Sequence, residues 1–220
     1  MQLYSGPLSL FARKIEIALR EKALPFERVM VPFSQERGYA PKHPAVLAAN
    51  PKGQVPVLVD GDLALFDSTL IFEYLEDAYP EPPLYPRGAQ ARARCRLLEL
   101  TADEILFAPV MRLGYRLDPP DPDPVRQSRL EEEGRAADAA ILAHYAELQR
   151  RLAGRNYFCG EFTVADIGLF MTVLFVLRRK GPRLDGHPEL AAWYARVGAR
   201  AAVAPVAAEI AAADRALTRR

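Results

Sequence analysis

Cysteine and histidine are scarce in this 220-residue chain, and neither is spaced to hold a metal. Cys95 and Cys159 lie far apart with no CxxC motif, and His43, His144 and His187 are scattered, so neither a structural metal nor a disulfide is expected. Excess charge of one sign is also missing. Lys and Arg total 29 against 28 Asp and Glu, a formal net charge of +1. No net field is therefore available to gather nucleic acid or an anionic membrane, and neither is an expected partner. Long apolar runs are absent too: the longest, Ile167 to Leu177, covers eleven residues between Asp166 and Arg178. That is about half of what a membrane-spanning helix needs, and it reads as a buried helix. Met1 leads straight into Gln2-Leu3-Tyr4 with no basic n-region, apolar h-region or cleavage site, so the expected location is cytoplasmic. With 50% hydrophobic and 26% charged residues the chain has a globular composition, long enough for one large domain or two small ones.

The first 80 residues alternate extended and helical patterns. Leu3-Tyr4 ends a short strand, and Phe11, Ile15, Ala18 and Leu19 then recur at helical spacing, with Arg13, Glu16 and Arg20 expected on the outward face. A second strand, Phe26 to Val31, completes a βαβ unit whose strands should be parallel and whose crossover right-handed. Residues 33 to 49 read as irregular, broken by Pro41 and Pro44. Val55 to Val59, an Asp60-Gly61 turn and Leu63 to Leu65 predict a β-hairpin, followed by a helix from Ser68 to about Ala78. Four prolines in the seven residues from Pro80 to Pro86 stiffen a connection and mark the domain boundary. Beyond it the pattern is helical only, with helices expected at about 89–117, 125–153 and 163–181 and one or two more after His187. The fold class is α/β plus all-α, with one domain at 1–80 and an all-helical one at 87–220.

Three places carry chemistry. Pro56 opens the hairpin's first strand; it is either an ordinary trans edge proline or a cis one that turns the Val55 N–H and C=O toward an extended peptide ligand. Asp67-Ser68 stands at a helix start. It is a good N-cap, and equally a place where helix N–H groups receive a carboxylate while Asp67 holds an ammonium, as the two ends of an α-amino acid require. Ser9 is an N-cap by position, or a hydroxyl that donates to a thiolate near the helix N-terminus. Lowering a thiol pKa by about two units takes roughly 2.7 kcal/mol, within reach of a charge-assisted hydrogen bond plus the dipole. No GxSxG elbow or His-Asp pairing marks Ser9 as a nucleophile itself. Thr163 and Asp166 have capping-box spacing, read as structural.

Taken in order, these motifs resemble the cytosolic glutathione S-transferases, specifically the serine-type, bacterial-like members. The likeness runs through Leu3-Tyr4-Ser5-Gly6-Pro7-Leu8-Ser9, Asn50-Pro51 through Val55-Pro56, Asp67-Ser68 with Tyr74-Leu75, and Phe162 through Ile167. It implies a thioredoxin-like N-terminal domain, an all-helical C-terminal domain, a homodimer, and glutathione as cosubstrate. By position, Ser9 is similar to the residue that stabilises the glutathione thiolate; Tyr4 falls where tyrosine-type members carry a phenol, and its alternative role is strand packing. Val55 would bond the cysteinyl backbone, Asp67 and Ser68 the γ-glutamyl end, and Lys42 with Gln54 the glycine carboxylate. The family usually has Glu before the helix serine, and Asp67 is a methylene shorter. The second substrate would meet Leu10, Phe107, Met111 and Tyr115, with Arg112 or Arg116 suited to an acidic or nitro-bearing electrophile. Neither Cys95 nor Cys159 sits where cysteine-type members carry their thiol. The implied reaction is transfer of glutathione to an electrophilic, mostly apolar substrate. The alternatives are a glutathione-dependent isomerase, peroxidase or dehalogenase, or a non-catalytic binding protein on the same fold.

Overall fold

The computed structural model describes residues 1–34 and 36–218; Arg219 and Arg220, the end of the expected second domain, lie outside the described residues. Two compact units form, one from Met1–Leu84 with the chain from Ala199 onward, the other from Tyr85–Gly198.

In the first unit the elements are β1 (Gln2–Ser5), α1 (Leu10–Glu21), β2 (Glu27–Met30), α2 (Pro44–Ala49), β3 (Val57–Asp60), β4 (Leu63–Phe66) and α3 (Ser68–Ala78). The sheet order is β2-β1-β3-β4. β1 runs parallel to β2, with Tyr4 opposite Val29, and antiparallel to β3, with Tyr4 opposite Val57. The β3–β4 hairpin turns through Gly61 at φ 62°, a conformation open to glycine at little cost. Tyr74 and Tyr79 each donate a phenol hydrogen to Asp60, at 2.8 and 2.6 Å. Those bonds tie α3 to the hairpin, hold the Asp60 carboxyl below its usual value and push the Tyr74 phenol up to about 12. This is the expected thioredoxin-like arrangement.

Two local expectations are corrected. Residues 33–49 are not wholly irregular, because Pro44 begins α2, where a proline's missing N–H costs nothing, and His43 Nδ1 accepts from the Ala45 N–H at 3.2 Å. Arg13 and Glu16, expected on an outward face, are 1% and 0% exposed. A further helix, α9 (Ala204–Thr218), packs on α1 and supplies Glu209, which accepts from Arg13 at 3.0 Å and from Arg28 at 2.6 Å. Glu16 accepts from the same two arginines, each at 2.7 Å, and from Arg20. Arg200 forks onto Glu21 at 2.7 and 2.8 Å, so the chain's last segment joins the first unit through charge as well as apolar contact. The proline-rich connection is held there too: Lys22 Nζ donates to the Tyr79 and Pro82 carbonyls, and the Leu84 N–H donates to Glu76.

The second unit contains α4 (Ala89–Leu100), α5 (Phe107–Arg112), α6 (Pro124–Leu152), α7 (Val164–Arg178) and α8 (Pro188–Gly198). The single helix expected at 89–117 is broken: a π-helical turn at Thr101–Leu106 precedes α5, and a tight 3₁₀ turn at Leu113–Leu117 follows it. Pro109 accounts for the break, since it has no N–H for the carbonyl four residues back and the ladder must re-register around it. The apolar α7 is buried along most of its length. Its first turn is fixed by Asp166, whose carboxylate accepts from the Thr163 N–H, the Phe158 N–H and Trp193 Nε1 at 3.0, 3.2 and 2.9 Å.

Candidate functional site

Every residue assigned to glutathione by sequence falls in the first unit. Ser9 caps α1: its Oγ accepts from the Ala12 N–H at 3.2 Å, and its own N–H donates to the Gly6 carbonyl at 3.2 Å. It is 9% exposed. Because the oxygen acts as acceptor inside the helix, the hydroxyl hydrogen remains to be donated. Tyr4, the rival, has its ring in the core with Val31, Val46 and Val57, and stacks at a tilt on His43 with centroids 5.0 Å apart.

The Val55-Pro56 bond is cis, the sharper of the two readings. Among the described residues the Val55 backbone N–H and C=O make no hydrogen bond, so both are open to a ligand. The loop before it is built by Asn50, to which the sequence assigns no role of its own. The buried Asn50 donates from Nδ2 to the Gln54 carbonyl at 2.7 Å and accepts at Oδ1 from the Lys52 N–H at 2.9 Å. Gly53, at φ 59°, completes the turn; a Cβ there would lie 3.8 Å from two side-chain carbons of Lys42. Lys42 and the Gly53-Gln54 turn are thus neighbours, and both Lys42 and Gln54 are exposed. Lys42 has no carboxylate partner among the described residues.

Asp67 caps α3 from the positive-φ region, at 74°, with Oδ1 accepting from the Thr69 N–H at 3.0 Å and the Leu70 N–H at 3.4 Å. Ser68 begins the helix and is 5% exposed, yet its hydroxyl has no hydrogen-bond partner among the described residues. The oxygen is not among the buried, unpartnered side-chain atoms, so it reaches the surface at this helix start, where it can donate to a ligand oxygen. One unit therefore offers a hydroxyl donor, a free backbone pair, a helix start with an adjacent carboxylate, and an ammonium. Those are the complements of a thiol, a peptide group, an α-amino acid end and a second carboxylate.

Residues 3–83 match the model of the glutathione S-transferase N-terminal domain and residues 90–196 that of the C-terminal domain. The chain belongs to the glutathione S-transferase family. It is 31% identical to glutathione S-transferase 3 of Zea mays over 223 residues, covering 96% of this chain and 94% of that one. It is 41% identical to a stringent starvation protein A homolog of Coxiella burnetii over 100 residues, and this match spans only 44% of either chain. A glutathione transferase family member from Pseudomonas fluorescens pf-5, solved with two glutathione molecules bound, shares 25% identity. Its TM-score is 0.78, with 94% of this chain and 91% of that chain covered.

The residues that the sequence assigns to a second substrate divide between the units: Leu10 belongs to the first, and Phe107, Met111 and Tyr115 to the second. Leu10 is 2% exposed, Phe107 is half-buried and Met111 is 50% exposed. The Tyr115 ring seats on α6 against Gly134, where a Cβ would come within 2.8 Å of Cε1. Arg116 is not free to meet an acidic electrophile. Its guanidinium is bidentate on Asp138 at 3.0 and 2.6 Å, which raises its pKa further, so that expectation rests on Arg112 alone. Cys95 and Cys159, both in this unit, are free thiols near enough to shift each other's titration. Interaction with Cys95, with help from Thr163, outweighs burial and pulls the Cys159 thiol below its ordinary value, while the same interaction and burial push Cys95 up.

Proposed function

We propose that this protein is a serine-type glutathione transferase in which Ser9 donates its hydroxyl hydrogen to the sulfur of bound glutathione. The thiol loses its proton to solvent and the thiolate is held by the Ser9 O–H and the partial positive charge of the α1 N-terminus. The sulfur then attacks an electrophilic carbon of a mostly apolar second substrate, forming a C–S bond while the leaving group departs with its electron pair. Val55 pairs with the cysteinyl peptide group. Ser68 and the α3 N-terminus take the γ-glutamyl carboxylate, Asp67 its ammonium, and Lys42 with Gln54 the glycine carboxylate. Leu10, Phe107, Met111 and Tyr115 contact the second substrate.

The single observation that carries this reading is that the Ser9 oxygen is engaged as an acceptor by the Ala12 N–H, leaving its hydrogen to donate. The unpartnered Val55 backbone and Ser68 hydroxyl supply the rest of the fit. Exposed Leu97 and Leu100 on α4 give an apolar face consistent with a homodimer. Among the described residues no helix is long and apolar enough to cross a membrane. A cytoplasmic location, with neither a membrane nor nucleic acid as partner, is part of the same proposal.

The similarity to a protein that is not named a transferase favours one second reading, a non-catalytic binding protein. Retention on a glutathione resin, with turnover of a panel of aryl halides and hydroperoxides, supports the enzyme. Retention without turnover of any of them supports the second reading, and no retention contradicts both.

A further inference from the structure

Tyr39 lies in the connection between β2 and α2, and no motif in the sequence singles it out. Its phenol oxygen accepts from the Leu8 N–H at 3.2 Å, across a separation of 31 residues. Its ring packs against the buried group formed by Tyr4, Val31, Val46 and Val57, and tilts on Phe33 with centroids 4.7 Å apart. On the other side the ring fills the space beside Gly6. A Cβ at that position would come within 2.5 Å of the phenol oxygen and 2.6 Å of Cζ, so no side chain fits there while the ring stays in place. Gly6 and Leu8 are two of the three residues before Ser9, and the Gly6 carbonyl also accepts the Ser9 N–H at 3.2 Å. The turn that delivers Ser9 to the head of α1 is therefore gripped twice by one side chain, sterically at Gly6 and by a hydrogen bond at Leu8.

From this geometry we infer that Tyr39 is a positioning residue for the Ser9 hydroxyl. The inference rests on the proposed role of Ser9 toward the glutathione thiolate. Leu8 is buried and the bond is part-buried, so without the phenol oxygen its N–H loses its acceptor and the turn relaxes to find another. A shift of a few tenths of an ångström at Ser9 matters because a hydrogen bond weakens steeply with misalignment. Tyr39 never touches sulfur in this account; it acts by fixing where the Ser9 O–H points.

The test measures the thiol pKa of bound glutathione, by the ultraviolet absorbance of the thiolate, in Tyr39→Phe, Ser9→Ala and the double variant. Thermal melts serve as a control for folding. Tyr39→Phe keeps the ring and removes the hydroxyl to which the Leu8 N–H donates. It should raise the thiol pKa by about half to one unit, a three- to tenfold loss of thiolate at a pH well below it, while the glutathione KM changes less than the pKa shift implies. In the Ser9→Ala background the same substitution should add nothing, because the two residues act as one unit. Gly6→Ala, which displaces the ring from the opposite side, should shift the pKa in the same direction. If Ser9→Ala moves the pKa and Tyr39→Phe does not, the inference about Tyr39 falls while the role of Ser9 stands. A full Tyr39→Phe shift persisting on top of Ser9→Ala would also overturn it, since Tyr39 would then act independently. No shift in Ser9→Ala would remove both.

Discussion

The Ser9 hydroxyl oxygen accepts the Ala12 N–H at 3.2 Å, the bond of a helix cap, and in doing so commits its lone pair inward and frees its hydrogen. Capping and thiolate stabilisation are therefore compatible roles of one side chain. Ser9→Ala should cost roughly 1 to 3 kcal/mol of thiolate stabilisation, raise the pKa of the bound thiol and cut turnover about ten- to a hundredfold at neutral pH. The sign in pH follows: the active thiolate is lost as pH falls through its pKa, so the variant's rate profile moves to higher pH and the deficit shrinks in alkali. A pH series of kcat/KM for wild type and variant measures it.

Ser68 stands at the first position of α3 with its hydroxyl unpartnered among the described residues and not shut away from solvent. Ser68→Ala should therefore raise the glutathione KM or Kd by about tenfold, one charge-assisted hydrogen bond, and leave kcat within about twofold. Calorimetric titration with glutathione decides it; an unchanged Kd removes Ser68 from the γ-glutamyl contact.

The Cys95 and Cys159 thiols are driven in opposite directions by their interaction. A small alkylating reagent should modify half-buried Cys159 first and leave buried Cys95 untouched until the unit unfolds. Cys95→Ala removes the neighbouring thiol that lowers it, so the Cys159 thiol pKa should rise and its alkylation at neutral pH should slow, both readable by mass spectrometry of timed quenches.

Burial pushes the Glu209 carboxyl up, but hydrogen bonds and charge from Arg28 and Arg13 outweigh it and hold it below its ordinary value. A carboxylate depressed by folding stabilises the fold above its unfolded pKa and loses that contribution as pH falls through the folded one. Glu209→Gln should therefore lower the melting temperature at pH 7 by a few degrees, and the gap from wild type should close in acid. A melting series from pH 7 to pH 3 shows whether it closes.

The local parts of this fold were readable from sequence because their causes are local. Ser9 and Asp67 announce their helices by capping, Gly61 its hairpin, and Thr163 with Asp166 the start of α7. The burial of Arg13 and Glu16 was not readable, because charged residues at helical spacing look solvated until Glu209, 196 positions from Arg13, arrives with α9. The break around Pro109 was missed because the apolar spacing continues through it. Tyr39 was invisible for a third reason: what it does depends on an empty place at Gly6 and an amide at Leu8, and neither has a sequence signature. The candidate site was legible where a residue's position marks a helix start, as at Ser9 and Ser68, whose roles toward glutathione are proposals. It was not legible where a neighbour such as Asn50 shapes the loop that presents Val55.

The most direct test is a crystal structure with glutathione bound. The expected result is a sulfur atom within about 3.2 Å of the Ser9 oxygen, with the peptide group of the cysteinyl residue paired to Val55. A sulfur that instead lies against the Tyr4 phenol, or a tripeptide bound away from Val55 and Ser68, would contradict the assignment.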